Sequence, residues 1–177
     1  MTAQSRSDPQ RPLAATQVLS YHLDMLKLEI ETISNIIDRM DRITQATKNW
    51  AVVTWAGGVG LALRERELRP FLVLTAVLPM LFWYIDAVWR RLQARSTYRM
   101  FRIRDFLNSE GLVRAFEAGC IQDFVLLDPV GTQYKGAADC QKHVSLQRTL
   151  RYREVAVFYA VPILVSIFLG LFFVLFR

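Results

Sequence analysis

"VAVFYAVPILVSIFLGLFFVLF", Val155 to Phe176, holds no charged residue. At 1.5 Å per residue it reaches about 33 Å, enough to cross a hydrocarbon core of about 30 Å. It reads as a transmembrane helix over 155–176. Pro162 is tolerable inside it, because neighbouring helices or water can satisfy the freed carbonyl. The apolar fraction of the chain, 53%, is therefore unevenly spent, and the other apolar runs have to be weighed as spans too.

"FLVLTAVLPMLFWYIDAVW", Phe71 to Trp89, is also of spanning length. Its one acid, Asp86, lies near its end with Arg90 at i+4, which reads as an interfacial ion pair. "WAVVTWAGGVGLAL", Trp50 to Leu63, is shorter and covers only about two-thirds of the core. It spans if Thr47 to Asn49 are drawn in or the bilayer thins locally. The charged "RERELRP" between these runs suits a wet turn, with Pro70 starting the second helix. A transmembrane hairpin over 49–89, with spans of about 49–63 and 71–89, is the expectation; a buried re-entrant pair is the alternative.

Between Trp89 and Val155 there are 12 Lys and Arg residues against 7 Asp and Glu. The positive-inside rule places this segment, 90–154, in the cytoplasm. The chain is then a multi-pass protein of the cytoplasmic (inner) membrane with its N-terminus inside and its C-terminus outside. Most of the net charge of +6 becomes a local feature of the cytoplasmic segment. "MTAQSRSDPQRP", 1–12, has no apolar core and reads as a disordered tail rather than a signal peptide.

From Leu13 to Lys48 there is no Gly, and Leu19, Leu23, Leu26, Ile30, Ile33, Ile37 and Met40 follow one another at alternating spacings of four and three. That is the heptad seam of an amphipathic cytoplasmic helix over 13–48. Ile36 and Ile43 widen it, which suits a bundle or a higher-order coil. Leu23, Leu26, Ile30, Ile33 and Ile37 are candidate oligomerisation residues; packing of the same seam on this chain's own cytoplasmic segment stands equal to that. Ala56 and Gly60, Gly58 and Ala62, and Ser166 and Gly170 are pairs of small residues four apart. This spacing lets helices approach closely in lipid, within one protomer or between protomers.

"RRLQARSTYRMFRIRDFLNSEG" reads as a helix leaving the second span and running to Gly111. Arg91, Arg95, Arg99 and Arg102 share one face of it. Arg90 and Arg91, and later Arg151 and Arg153, abut the spans and read as membrane-interface anchors for an anionic leaflet. Arg95, Arg99 and Arg102 climb away from the membrane. They form a candidate site for a soluble polyanion, a nucleotide or oligonucleotide held through its phosphates. "FVLLDPVGTQY", 124–134, places a turn signal between apolar stretches and can form a small β-hairpin. A last cytoplasmic helix from about Ala137 leads into the final span.

No nucleophile elbow, phosphate-binding Gly loop or His/Glu metal helix occurs, so an enzyme is not expected. Cys120, Cys140, His22 and His143 make a poor metal set, and neither metal nor cofactor is expected. The fold class is an all-α membrane protein.

The layout of long helix, hairpin, basic middle and final span resembles the small membrane effectors of bacterial anti-phage systems, of the Hailong and SLATT types. The resemblance lies in architecture over the whole chain and rests on no motif. It implies a homo-oligomeric ion channel in antiviral defence, gated by a nucleotide or oligonucleotide. The competing class is a membrane-anchored scaffold. Its heptad helix would recruit a protein partner encoded nearby, and its basic residues would touch only membrane lipids.

Overall fold

The computed structural model describes residues 11–122 and 124–176. Helix α1, Arg11–Arg64, runs unbroken for 54 residues. No Pro follows Pro12 and no Gly precedes Gly57 in it, so nothing interrupts the i→i−4 ladder over that length. Its start lies inside the stretch read as a tail; residues 1–10 of that tail lie outside the described residues. A 3-10 helix, Arg66–Ala76, contains Pro70 and turns the chain back. Then come α2 (Val77–Leu107), α3 (Glu110–Ala118), α4 (Ala138–His143), α5 (Leu146–Leu150) and α6 (Arg153–Leu175).

Helix α2 returns antiparallel along α1. Gln93 Nε2 donates to Asp41 Oδ1 at 2.8 Å, Arg99 meets Glu29, and Ile103 packs on Leu26 and Ile33. The long basic helix stops at Leu107 rather than Gly111. There Ser109 accepts a hydrogen bond from the Gly111 N–H at 3.1 Å and starts α3 as its N-cap. The helix expected from Ala137 into the last span is likewise broken into α4, α5 and α6.

The chain is all-helical among the described residues, with no strand. Two helical stretches, Arg66–Leu107 and Ala138–Leu175, are long and apolar enough to cross a membrane. The apolar end of α1 is not among them. The apolar faces of these stretches are left uncovered: Leu74, Met80, Leu81 and Tyr84 on one, Val157, Val161, Leu164 and Phe168 on the other. Patches of that size on a lone protein mark a lipid or protein contact.

The expected β-hairpin at 124–134 is absent. Its turn exists, but its backbone groups are spent elsewhere. Asp128 accepts from the Thr132 N–H at 2.8 Å, the Thr132 hydroxyl at 2.7 Å and the Gln133 N–H at 3.0 Å. Gly131 sits in the left-handed region at φ +65°, where glycine pays no Cβ penalty. The Leu127 and Asp128 N–H groups point instead at Glu29 of α1.

The seam of α1 is consumed within the chain. Leu26 and Ile33 are buried with Ile103, and Leu19 is buried with Ala115 and Ile121; Leu23, Ile30 and Ile37 pack half-buried beside them. Leu26 and Ile33 are thus not free to pair with a second copy, because α2 together with Phe124 and Leu126 already covers them.

At the apolar end of the helices, one polar knot ties three elements. Trp55 Nε1 of α1 donates to Ser166 Oγ of α6 at 2.8 Å, the Thr75 hydroxyl lies 2.9 Å from the same oxygen and 2.7 Å from the Leu72 carbonyl, and Ser166 Oγ donates onward to the Pro162 carbonyl at 2.9 Å. One turn on, Gly170 faces Val73 so closely that a Cβ would stand 2.8 Å from the Val73 amide nitrogen. Gly58 is likewise used inside the chain, against Leu78 and Thr75. Gly60 has nothing within 4 Å of where its Cβ would stand, and Ala56 is exposed.

Candidate functional site

The arginine face of α2 is where the sequence places a polyanion site. Arg99, its central member, has no exposed surface. Its Nε donates to Glu29 Oε1 at 2.7 Å and its Nη2 to Glu29 Oε2 at 3.1 Å, a two-point fork onto one carboxylate. Nη1 donates to the Tyr134 hydroxyl at 3.0 Å, and Nη2 also donates to the Val125 carbonyl. The guanidinium lies over the Phe124 ring at 4.4 Å, a cation–π contact in a desolvated setting. Burial works to lower the Arg99 pKa, but the hydrogen bond and charge of Glu29 outweigh it, and the net shift is upward.

Glu29 is buried as completely, at 1% exposure. Besides Arg99 it accepts the Leu127 N–H at 2.9 Å and the Asp128 N–H at 3.1 Å. Successive backbone N–H groups aimed at one anion form a nest. The nest is possible because Leu127 adopts φ +62°, a strained value for a non-glycine residue. The Ile121 N–H adds a second tie to α1, donating to His22 Nδ1 at 3.1 Å. Asp128 is buried, which would raise its pKa. The donors at Gln133 and Thr132 and the charge of Arg99 hold its carboxyl below the usual range instead.

The 124–134 segment therefore lies across the arginine face, and it splits the predicted site. Arg99 is under it and is a structural ion, not a ligand contact. Arg95 is left on one side, in a groove of about 320 Å³ shared with Arg91, Lys135 and Cys140. Burial pushes the Cys140 thiol pKa up, with Arg95 opposing. Arg102 is left on the other side, over the Tyr134 ring at 5.6 Å and in a groove that also holds Asp105, Arg114 and Glu117. The three arginines do not converge on one ligand.

The predicted interface residues also separate. Arg91 Nε donates to the Val144 carbonyl at 3.0 Å and so pins the end of α4. Arg90 faces Asp86 at 3.5 Å. Asp86 is fully buried rather than interfacial, with the Tyr159 hydroxyl and Lys48 nearby. The Trp83 indole N–H is buried in the same region without a protein hydrogen-bond partner among the described residues, and the Tyr159 hydroxyl faces the Asp86 carboxylate. Arg151 is exposed, and Arg153 lines a groove of about 700 Å³ with Arg90 and Arg148.

Glu29 is the residue that sequence reasoning missed. Its signal was available: it stands three residues after Leu26 and four before Ile33, on the buried side of the seam. No family model matches the chain, and no curated protein or solved structure is significantly similar to it.

Proposed function

We propose that the chain is a homo-oligomeric effector of the cytoplasmic membrane that forms a pore, of the kind its layout resembles in anti-phage defence. In this reading it crosses three times: through the end of α1, through the 3-10 helix with the first half of α2, and through α6. The N-terminus is inside and the C-terminus outside, in keeping with the cationic excess between Trp89 and Val155. Three helices tied together by Ser166 leave no room for a channel among themselves, so a pore needs several copies around an axis.

The observation that carries this reading is the division of the small residues. Gly58, Ser166 and Gly170 are used within the chain, while Ala56 is exposed and Gly60 has open space where a Cβ would stand. An outward small face on an apolar helix suits close approach by a second helix in lipid. A polyanion controlling the assembly would be held by Arg95 with Lys135 and Arg91, whose groove is lined by no acid. Phosphates neutralise such a groove through counterion release.

The detergent-purified chain is expected to run as a multiple of 20.5 kDa. The double variant Ala56→Leu, Gly60→Leu should shift it to single-chain mass without loss of helicity, as read by light scattering and circular dichroism. An unchanged oligomer mass would remove this face from the assembly.

A second reading, the scaffold, has its own observation. Val18, Tyr21 and Leu28 form a stripe on α1 that the chain leaves exposed, on the side away from the buried seam. It suits an apolar partner helix.

A further inference from the structure

The groove lined by Arg90 on α2, Arg148 on α5 and Arg153 at the start of α6 has a volume of about 700 Å³, within the range of small-ligand sites. Its three guanidiniums come from three elements. Arg90 is partly neutralised by Asp86 at 3.5 Å. Neither Arg148 nor Arg153 has an acid within ion-pairing distance among the described residues. One acid, Glu154, is on the wall, so the groove is cationic on balance. Tyr98 and Tyr152 add aromatic surface and hydroxyl groups. The Tyr98 ring is held edge-on to Tyr134 at 5.6 Å.

The surroundings favour one occupant. The groove ends at Val155, where the uncharged run of α6 begins. From Arg153 the same face of α6 continues through Val157, Val161 and Leu164, at spacings of four, four and three, all exposed. A cationic, tyrosine-bearing cleft therefore opens directly onto an uncovered apolar stripe. A nucleotide has no use for the stripe. A phospholipid fits both parts, with its phosphate between Arg148 and Arg153 and its acyl chains along Val157 and Leu164. Basic pockets at the cytoplasmic ends of spanning helices hold anionic headgroups in this way.

We propose that this groove is a binding site for one anionic phospholipid, recognised by its phosphate and by the apolar stripe below it. The inference rests on the membrane-spanning reading above, with α5 and the start of α6 on the cytoplasmic side. It assigns Arg148 and Tyr152 a role that neither the polyanion site nor the leaflet anchors gave them. It turns Arg153 from a diffuse anchor into part of a stoichiometric site.

The test is native mass spectrometry of the full chain released from phosphatidylcholine nanodiscs and titrated with phosphatidylglycerol or cardiolipin. One anionic lipid per chain should be retained over phosphatidylcholine. The double variant Arg148→Gln, Arg153→Gln should bind it roughly 30-fold more weakly, from the loss of two bases near the surface. Arg104→Gln with Arg114→Gln, which removes equal charge elsewhere, should not weaken it. Inorganic phosphate or glycerol phosphate at millimolar concentration should fail to displace the lipid. Displacement by either would mean that the groove takes a free phosphate, and would overturn the lipid assignment. Equal retention of phosphatidylcholine, or full retention of anionic lipid by the Arg148, Arg153 variant, would overturn it as well. Failure of the chain to enter nanodiscs at all would instead strike the membrane reading, and this inference with it.

Discussion

Arg99→Leu is expected to destabilise the packing of α1 on α2 and the 124–134 segment by about 3–5 kcal/mol, the cost of leaving one member of a buried ion pair without the other. Glu29 would remain at 1% exposure with its charge opposed only by two backbone N–H groups. Glu29→Leu should cost as much, since it strands the Arg99 guanidinium and frees the Leu127 nest. The double variant Glu29→Leu, Arg99→Leu should be less damaging than the sum, because no lone charge is left. It should still fall short of wild type: the Leu127 and Asp128 N–H groups and the Val125 carbonyl lose their partners. Thermal melts of the four proteins in one detergent give the coupling directly. Limited proteolysis adds the place, with cleavage between Phe124 and Tyr134 rising in both single variants. A single Arg99 variant that melts with wild type and resists proteolysis would show that the 124–134 segment is held by something other than this pair.

Ile33→Asp should be comparably severe. Ile33 is wholly buried between α1 and α2 against Ile103, and the nearby Arg99 guanidinium is already committed to Glu29. An unpaired carboxylate there costs several kcal/mol or stays protonated. Leu28→Asp, on the 50% exposed stripe of the same helix, should leave the melt almost unchanged. The contrast separates the two uses of α1. If the seam packs within the chain, the Ile33 variant loses the packing of α1 on α2 even as a single chain. If Ile33→Asp lowered only the oligomer mass and left the melt intact, the seam would belong to a contact between copies.

These two residues also mark how far the sequence could be read. The apolar run of α6 is legible because an uncharged stretch of that length has few other uses. The seam of α1 is legible because its spacing repeats for three heptads. What covers a face is not written in the face. The spacing of Arg95, Arg99 and Arg102 correctly puts them on one side of α2, yet it carries no sign that a loop folds over the middle one. The hidden partner, Glu29, looks like an ordinary acid at the edge of a wide stripe. The flanks of "DPVG" look like strands because Phe124, Val125, Leu126 and Leu127 are apolar. Their backbone groups found an acid on a distant helix before they found each other. The small residues show the same limit. Spacing made Gly60 and Gly170 equivalent, and only the approach of Val73 to Gly170 distinguishes the used site from the open one.

Ion flux through vesicles carrying the purified chain tests the pore reading most directly. Potassium-loaded vesicles with the inserted chain should lose their diffusion potential. The rate should change when a short oligonucleotide is added at low salt on the side that bears Arg95 and Lys135, and should be lost in the Ala56→Leu, Gly60→Leu variant. Vesicles that hold their potential with the chain demonstrably inserted, with and without the oligonucleotide, would contradict the pore and leave the scaffold.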